Sequence, residues 1–429
     1  MRLCCALLVI VPAVLIGLLA NDIRNNLRYD LQLKLHDGKC TLLETPTSCE
    51  DLTALGDGES VIAGGGDLWN TFFNGSASAI DGAFWLVNAK SGSLRRIEIE
   101  GDPLPRLLLH GIYYSQQSRR LYAVNHDEAT GESVEIFDVI GTGDDLKLRH
   151  MLTIRSPLFG NFQLNDVVEG EGEEIYITEW RPFPFPAGGK AGEAHMPFSE
   201  RALAKLEVPI ALGKVPLTRV FRCNFRAALR RKSKYYKIAD ERHPDQLPSA
   251  EPVCEMASAT RFVQANGIAV SADRRSVFVN DPVTKTIHVL ERKRFVGQNK
   301  VGEPGFSLRK VSSFRTKHAL DNIEMDQDGK LTGGSIPFPY TSASVCDEAE
   351  GLSATKVVDG REIGCGKSPG GLLRISLLGT GGHSFVDGTQ SDHAMHDGSL
   401  MSGVSAALQI GNKVLLGSPN SPGVLLCDV

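Results

Sequence analysis

The stretch Phe159–Val168, FGNFQLNDVV, decides how the rest of the chain is read. Leu164, Val167 and Val168 belong to an apolar run of strand type, and Asn165 and Asp166 interrupt it side by side. Successive strand residues face opposite sides, so one of the pair faces each way. Burying either group is costly unless it finds a partner. The same disturbance recurs at CEDL (Glu50, Asp51), QANGIAV (Asn266) and LDNIEM (Asp321, Asn322). Asn and Asp are common turn residues, which accounts for any one of these places. It accounts poorly for the set, because the flanks are apolar rather than loop-like.

All of these side chains donate oxygen. Hard oxygen ligands of mixed charge favour Ca²⁺, which takes about 6–8 carboxylate, amide, backbone or water oxygens. The candidates run from residue 50 to residue 322, too far apart for a local loop of the EF-hand kind. They can converge where every unit of a repeated fold delivers its innermost strand to one channel.

The surrounding sequence fits such a fold. From Leu52 onward it consists of short β-branched and aromatic runs bounded by Gly, Asn, Asp and Ser: SVIAGG, GAFWLVNA, RRLYAVNH, SVEIFDVI, EEIYITEW, RSVFVNDP, TIHVLERK, GLLRISLL and NKVLLGSP. Turn signals such as SADRRS and DQDGK join neighbours into hairpins. No long helical period intervenes, so alternating βαβ units are not supported. Recurring hairpins in a chain of 429 residues point to an all-β repeat architecture: a sandwich pair, a solenoid or a propeller. Residues 181–217, 224–253 and 340–368 break the rhythm as insertions. The first holds a Pro-rich loop and a short helix expected over SERALAKLEV, and the second a basic run, RAALRRKSKYYK.

The net charge of −5 argues against a nucleic-acid binder, which normally shows a strongly basic domain. The chain opens with Arg2 and an unbroken apolar run from Leu3 to Ala20, close to the length that spans a bilayer. Leu18 occupies a position where signal cleavage prefers a small residue, so residues 1–20 read as an uncleaved signal anchor. Residues 21–36, with Ile23, Leu27, Leu31 and Leu35 at fourfold spacing, read as an amphipathic helix or linker. The remainder, 37–429, is then expected in the secretory pathway, anchored on the lumenal or extracellular side or secreted. Asn74 in NGS is a candidate glycosylation acceptor. Beyond the anchor lie seven cysteines, enough for three disulfides and one leftover thiol. Cys223 with Cys254, and Cys346 with Cys365, are placed to close the bases of two insertions.

Other motifs fail. There is no H-E-x-x-H zinc helix and no G-x-S-x-G elbow. GREIGCGKS has one residue too many between its outer glycines for a phosphate loop. SDHAMHDG (Asp392, His393, His396, Asp397) reads as a polar loop.

The ordered series EDL, HGI, VNH, LNDVV, ANGIAVSADRRSVFVND, IHVLE, DNIEMD and LLCDV resembles the paraoxonase (serum arylesterase/lactonase) family from about Cys40 to Val429, outside the insertions. The resemblance implies a six-bladed β-propeller with two central calcium ions behind an uncleaved hydrophobic N-terminus. It implies Glu50, Asn165, Asn266, Asp321 and Asn322 as ligands of a catalytic Ca²⁺. Asp51, Asp166 and the backbone carbonyl of Ile112 become ligands of a deeper, structural Ca²⁺. His110 becomes the general base, His126 its proton-relay partner, and Cys40–Cys427 the ring-closing disulfide, with Cys49 left as the odd thiol. The sequence departs from the family at Trp180 and Arg181, which replace an Asp-His pair, and at Ser335 and Ile336, which replace a Cys and a second active-site His. The metal set is retained while the substrate walls differ, so the natural lactone or ester is open. Alternative readings are a sugar-lactonase-type propeller hydrolase and a membrane-anchored propeller that binds a hydrophobic ligand or protein without catalysis. The sequence does not fix the oligomeric state.

Overall fold

The computed structural model describes residues 17, 35–36, 38–68, 71, 81–101, 106–127, 130–184, 205–229, 252–293, 307–337, 355–358, 361–364, 368–379 and 385–429. Nearly all of the anchor and the linker, Asn74, Cys346, Cys365 and much of the three insertions lie outside these residues. Among the described residues no helix is long and apolar enough to cross a membrane.

Six sheets, antiparallel but for one outer parallel pair in the second, form the blades of a β-propeller. Their innermost strands are Asp51–Ala54, Leu109–Ser115, Leu164–Glu169, Ile268–Val270, Ala319–Met325 and Ala406–Ile410. Each touches the next in this order, and the last returns to the first, so the ring is closed around a tunnel. Every run picked out in the sequence lies in a blade: SVFVND, for example, is Ser276–Asp281, paired on one side with Ile268–Val270 and on the other with Thr286–Arg292.

Apolar residues project from both faces of the blades and pack against neighbouring blades. Phe84, Ile112, Leu121 and Phe137 make one such layer; Tyr122, Val167, Ile177 and Phe221 make the next. Fully burying one such side chain contributes about 1.5–3 kcal/mol. The repetition of these layers, rather than one central core, holds the ring.

Cys40–Cys49 lies outermost on the blade that also contains the last strand, Lys413–Asp428. Cys40 and Cys427 face each other in register and are disulfide-bonded. The ring is thus closed by pairing the chain's beginning with its end, and the bond spans 387 residues. Replacement of both cysteines by Ser is expected to lower unfolding stability by about 4–5 kcal/mol, the upper end of what a disulfide contributes. Thermal unfolding of the two forms measures this. Cys223–Cys254 joins the two outer strands of the third blade and closes the insertion between them. Cys49 is buried and free, and burial pushes its thiol up to about 11.

One expectation needs correction here. SDHAMHDG is not a loop: residues up to His396 belong to the strand Phe385–His396. Ala394 and Met395 are buried in the blade there, while Asp392 reaches across to His318 Nε2 at 3.0 Å. A segment that looks polar throughout is an edge strand with one apolar step. Of the helix expected over SERALAKLEV, residues 199–204 lie outside the described residues, while residues 205–206 are in a turn and Glu207–Leu212 is helical.

Candidate active site

Three inner strands carry the same irregularity. Between the pairs Leu164↔Glu179 and Val167↔Ile177, Asn165 and Asp166 oppose the single residue Thr178. His110 and Gly111 oppose Val124 in the same manner, and Asp321 and Asn322 oppose Gly334. At the fourth blade Asn266 N–H and Gly267 C=O both bond to Asn280, at 2.9 Å each. Two residues against one is a β-bulge, which bends the strand and re-aims its side chains. Simple strand alternation, expected from the sequence at Asn165 and Asp166, is therefore replaced by a bulge. That device points adjacent side chains at the tunnel axis.

The crowding this produces requires glycine in HGI and NGI. A Cβ on Gly111 would lie 2.4 Å from Asp166 Oδ1, and one on Gly267 would lie 2.5 Å from the Asp321 carbonyl oxygen.

The predicted site residues meet in two layers. In the first, Asn322 Nδ2 donates to both Glu50 oxygens at 2.9 and 3.0 Å. Glu50 Oε1 stands 3.6 Å from His110 Nε2, which accepts from Asn165 Nδ2 at 3.2 Å. Asn266 hydrogen-bonds Asp321. The sixth blade enters through Ser405, whose hydroxyl donates to the Glu50 carbonyl at 2.5 Å.

In the second layer Asp51 accepts the N–H groups of Leu52 and Ile112 at 2.8 and 2.7 Å. Asp166 accepts those of Val167 and Ile268 at 2.7 and 2.8 Å. Each carboxylate thus ties its own strand to the inner strand of the following blade. The N–H and C=O of an extended residue project from the same strand edge, so the Ile112 carbonyl faces the axis with its N–H.

Charge and lone pairs are left over here. Asn165 Oδ1, Asn266 Oδ1 and Asn322 Oδ1 are buried and have no hydrogen-bond partner, a costly arrangement for a protein interior. Burial, joined by mutual repulsion, pushes Glu50 and Asp166 well above the ordinary carboxylate value. Burial raises Asp51 and Asp321 to about 7. A dication among these oxygens would answer both deficits. Among the described residues no group of three His, Cys, Asp or Glu side chains suffices to hold a metal; the amides are an integral part of the donor set. Mixed carboxylate and amide oxygens fit Ca²⁺ better than a metal that prefers nitrogen or sulfur.

The His pair lies beside this cluster. His110 Nδ1 is 2.8 Å from His126 Nε2. Burial, and then the neighbouring His126, hold His110 well below the usual imidazole value. Leu68, Leu108, Phe162 and Trp180 form an apolar shelf next to the pair. Trp180 stands edge-on to His110 with ring centroids 5.8 Å apart. Arg181 stacks on the Trp180 ring and pairs with Glu207. Trp180 and Arg181 therefore build a wall of the site. Ser335 is fully buried with an unpartnered hydroxyl.

Sequence reasoning missed three groups. Glu132 backs His126 at 2.8 and 2.9 Å. Asn280 donates to the carbonyls of Leu320 and Asp321 at 2.6 and 2.8 Å. Glu324, bonded by Thr53 Oγ1 at 2.6 Å and raised by burial to about 8, borders a cavity of about 700 Å³ that also touches Ala54, Tyr113 and Val270. The IEMD and NDP segments that contain Glu324 and Asn280 were legible as strand ends. The inward aim of these side chains was not.

Fold and site together define a six-bladed β-propeller with an axial oxygen-donor cluster next to a buried histidine pair. No protein-family model matches the chain, and no curated protein does. Among solved structures it is similar to a gluconolactonase from Xanthomonas campestris, at 13% identity over 92% of this chain and 90% of that one, with a TM-score of 0.41. It is also similar to a PQQ-bound aldose sugar dehydrogenase from Streptomyces coelicolor (12% identity, 91% and 98% covered, TM-score 0.41). A luciferin-regenerating enzyme gives 10% identity, 91% and 95% covered, and a TM-score of 0.43. Likeness of this degree carries no argument about activity, which has to come from the site.

Proposed function

We propose that the protein is a calcium-dependent hydrolase of lactones and esters, of the arylesterase/lactonase kind its motifs resemble. The observation that carries this reading is the set of partnerless amide oxygens on Asn165, Asn266 and Asn322, strung with Glu50 and Asp321 around one layer beside His110. Glu50, Asn165, Asn266, Asp321 and Asn322 would hold the catalytic ion. Asp51, Asp166 and the Ile112 carbonyl would hold the structural one. Bound in the upper layer, Ca²⁺ supplies a Lewis acid for the substrate carbonyl and for the oxyanion that develops from it.

The chain's own residues supply the rest. His110 takes a proton at Nε2 from the water that adds to the carbonyl carbon, the general-base role. His126, hydrogen-bonded to His110 Nδ1, relays charge away from the tunnel. The shelf of Leu68, Leu108, Phe162 and Trp180 keeps bulk water from one side of the pair. Location in the secretory pathway, by anchor or by secretion, is supported by the apolar segment at residues 3–20 and by two disulfides, which persist in oxidising compartments.

The test is initial-rate hydrolysis of aliphatic lactones of graded chain length, sugar lactones and an aryl ester, before and after chelation by EDTA. The expected result is aliphatic lactone hydrolysis that disappears with EDTA and returns with added Ca²⁺. Turnover confined to sugar lactones would favour the sugar-lactonase reading. No turnover on any substrate would favour a non-catalytic binding propeller.

A further inference from the structure

We propose that Glu132 is a positioning residue for the His pair: it fixes the tautomer of both rings, so that His110 presents the lone pair of Nε2 to the tunnel. Glu132 is the second residue of the strand Gly131–Ile140 and is 6% exposed. Its Oε1 accepts the Leu164 N–H at 2.9 Å and its Oε2 the Phe162 N–H at 3.1 Å. Both oxygens also approach His126 Nδ1, at 2.9 and 2.8 Å. A carboxylate clamped by two backbone donors is an acceptor only, so His126 Nδ1 carries hydrogen and donates.

When Nδ1 carries the one ring hydrogen of His126, its Nε2 is an acceptor. Because His110 Nδ1 lies 2.8 Å from that atom, His110 Nδ1 carries the hydrogen of this second bond. The lone pair of His110 is thereby placed on Nε2. At the other end of the line His110 Nε2 faces the amide nitrogen of Asn165 at 3.2 Å, a donor, with Glu50 Oε1 farther off at 3.6 Å; this leaves Asn165 Oδ1 without a partner. Had His110 carried its hydrogen on Nε2, donor would face donor at Asn165. The backbone is arranged for the clamp as well. Phe162 adopts φ +54°, a conformation rare for an aromatic residue, with its N–H on Glu132 and its ring 5.2 Å from that of His126.

Three groups in a row thus orient one nitrogen, the logic by which a buried carboxylate orients a catalytic histidine elsewhere. When His110 Nε2 gains a proton, the Nδ1 proton can move to His126 Nε2, and the positive charge then rests on His126 against Glu132. The assignment of tautomers stands on the geometry with one hydrogen on each ring; only its effect on turnover rests on the hydrolytic reading above.

The experiment is long-range ¹H–¹⁵N NMR of the imidazole rings in the full chain with Ca²⁺ present, together with kinetics of Glu132→Gln. In the wild type, both His110 and His126 are expected as neutral Nδ1–H tautomers. In Glu132→Gln one carboxylate oxygen becomes an amide donor facing a backbone donor. His110 should then lose its single tautomer, and kcat should fall about 10²-fold or more with KM within about twofold. An Nε2–H tautomer for His110 in the wild type overturns the proposal, and so does a Glu132→Gln enzyme with unchanged kcat. The wild-type spectrum decides the matter even if the variant does not fold. Both rings as Nδ1–H in a chain that hydrolyses no lactone would support the assignment while removing the reaction.

Discussion

If the proposed function holds, His110→Gln is expected to lower lactone turnover by about 10²–10⁴-fold, the usual worth of a positioned general base, and to leave the expected Ca²⁺-linked thermal stabilisation in place. Glutamine is close in size to histidine and can still meet the Asn165 amide nitrogen, now 3.2 Å from His110 Nε2, through its carbonyl oxygen. It cannot take a proton from water. The carboxylates Glu50, Asp51, Asp166 and Asp321 are untouched, so cation affinity should change little. Initial rates and a Ca²⁺ titration followed by thermal unfolding separate the two effects. A variant that keeps wild-type turnover removes His110 from the base role without removing the oxygen cluster from the reaction. A variant that loses Ca²⁺ stabilisation as well would show that the ring is part of the metal site's framework rather than a reagent beside it.

The sequence made the site visible because polar residues were placed against the grain of their surroundings. Asn165 and Asp166 between Leu164 and Val167, and Asp321 and Asn322 between Leu320 and Ile323, contradict the local hydrophobic pattern. A local contradiction of that sort signals a tertiary demand. The blades were legible for the complementary reason: runs such as SVFVND and EIYITE agree with strand propensity and with burial at once. What escaped was the direction in which each side chain points. Alternation by itself divides Asn165 from Asp166, but the bulge opposite Thr178 decides where both go, and a bulge leaves little trace in one sequence. Glu132 escaped because it sits one step inside a strand after the hairpin signal TGE, where an acidic residue looks like solvated turn material. Its role depends on N–H groups of Phe162 and Leu164, 30 and 32 residues away. The strand that contains His393 and His396 was misread for a related reason: an edge strand buries so few residues that its pattern resembles a loop.

Asn165 and Asp166 should separate function from folding, and the two layers say in which direction. Asp166 Oδ1 and Oδ2 hold the Val167 and Ile268 N–H groups, so Asp166 joins the third blade to the fourth whether or not an ion is present. In Asp166→Asn one of these N–H groups meets an amide donor, leaving a buried donor unsatisfied at a cost of about 1–3 kcal/mol. The proposed deeper ion would also lose one of its two carboxylates. A ligand present at about 100 times its dissociation constant adds about 2.7 kcal/mol to the native state, and most of that increment should vanish in this variant. Asn165, by contrast, makes one side-chain bond, to His110, and leaves Oδ1 without a partner. In Asn165→Ala the blade junction is intact, so unfolding in EDTA and the gain from the deeper ion should stay near wild type. Turnover should drop steeply, because the variant loses an oxygen of the catalytic layer and the donor that faces His110 Nε2. Denaturant unfolding of both variants, with Ca²⁺ and with EDTA, set beside their initial rates, gives four comparisons per residue. If Asn165→Ala is the less stable of the two, or Asp166→Asn retains the full Ca²⁺ increment, the division of the pair between a catalytic and a structural ion fails.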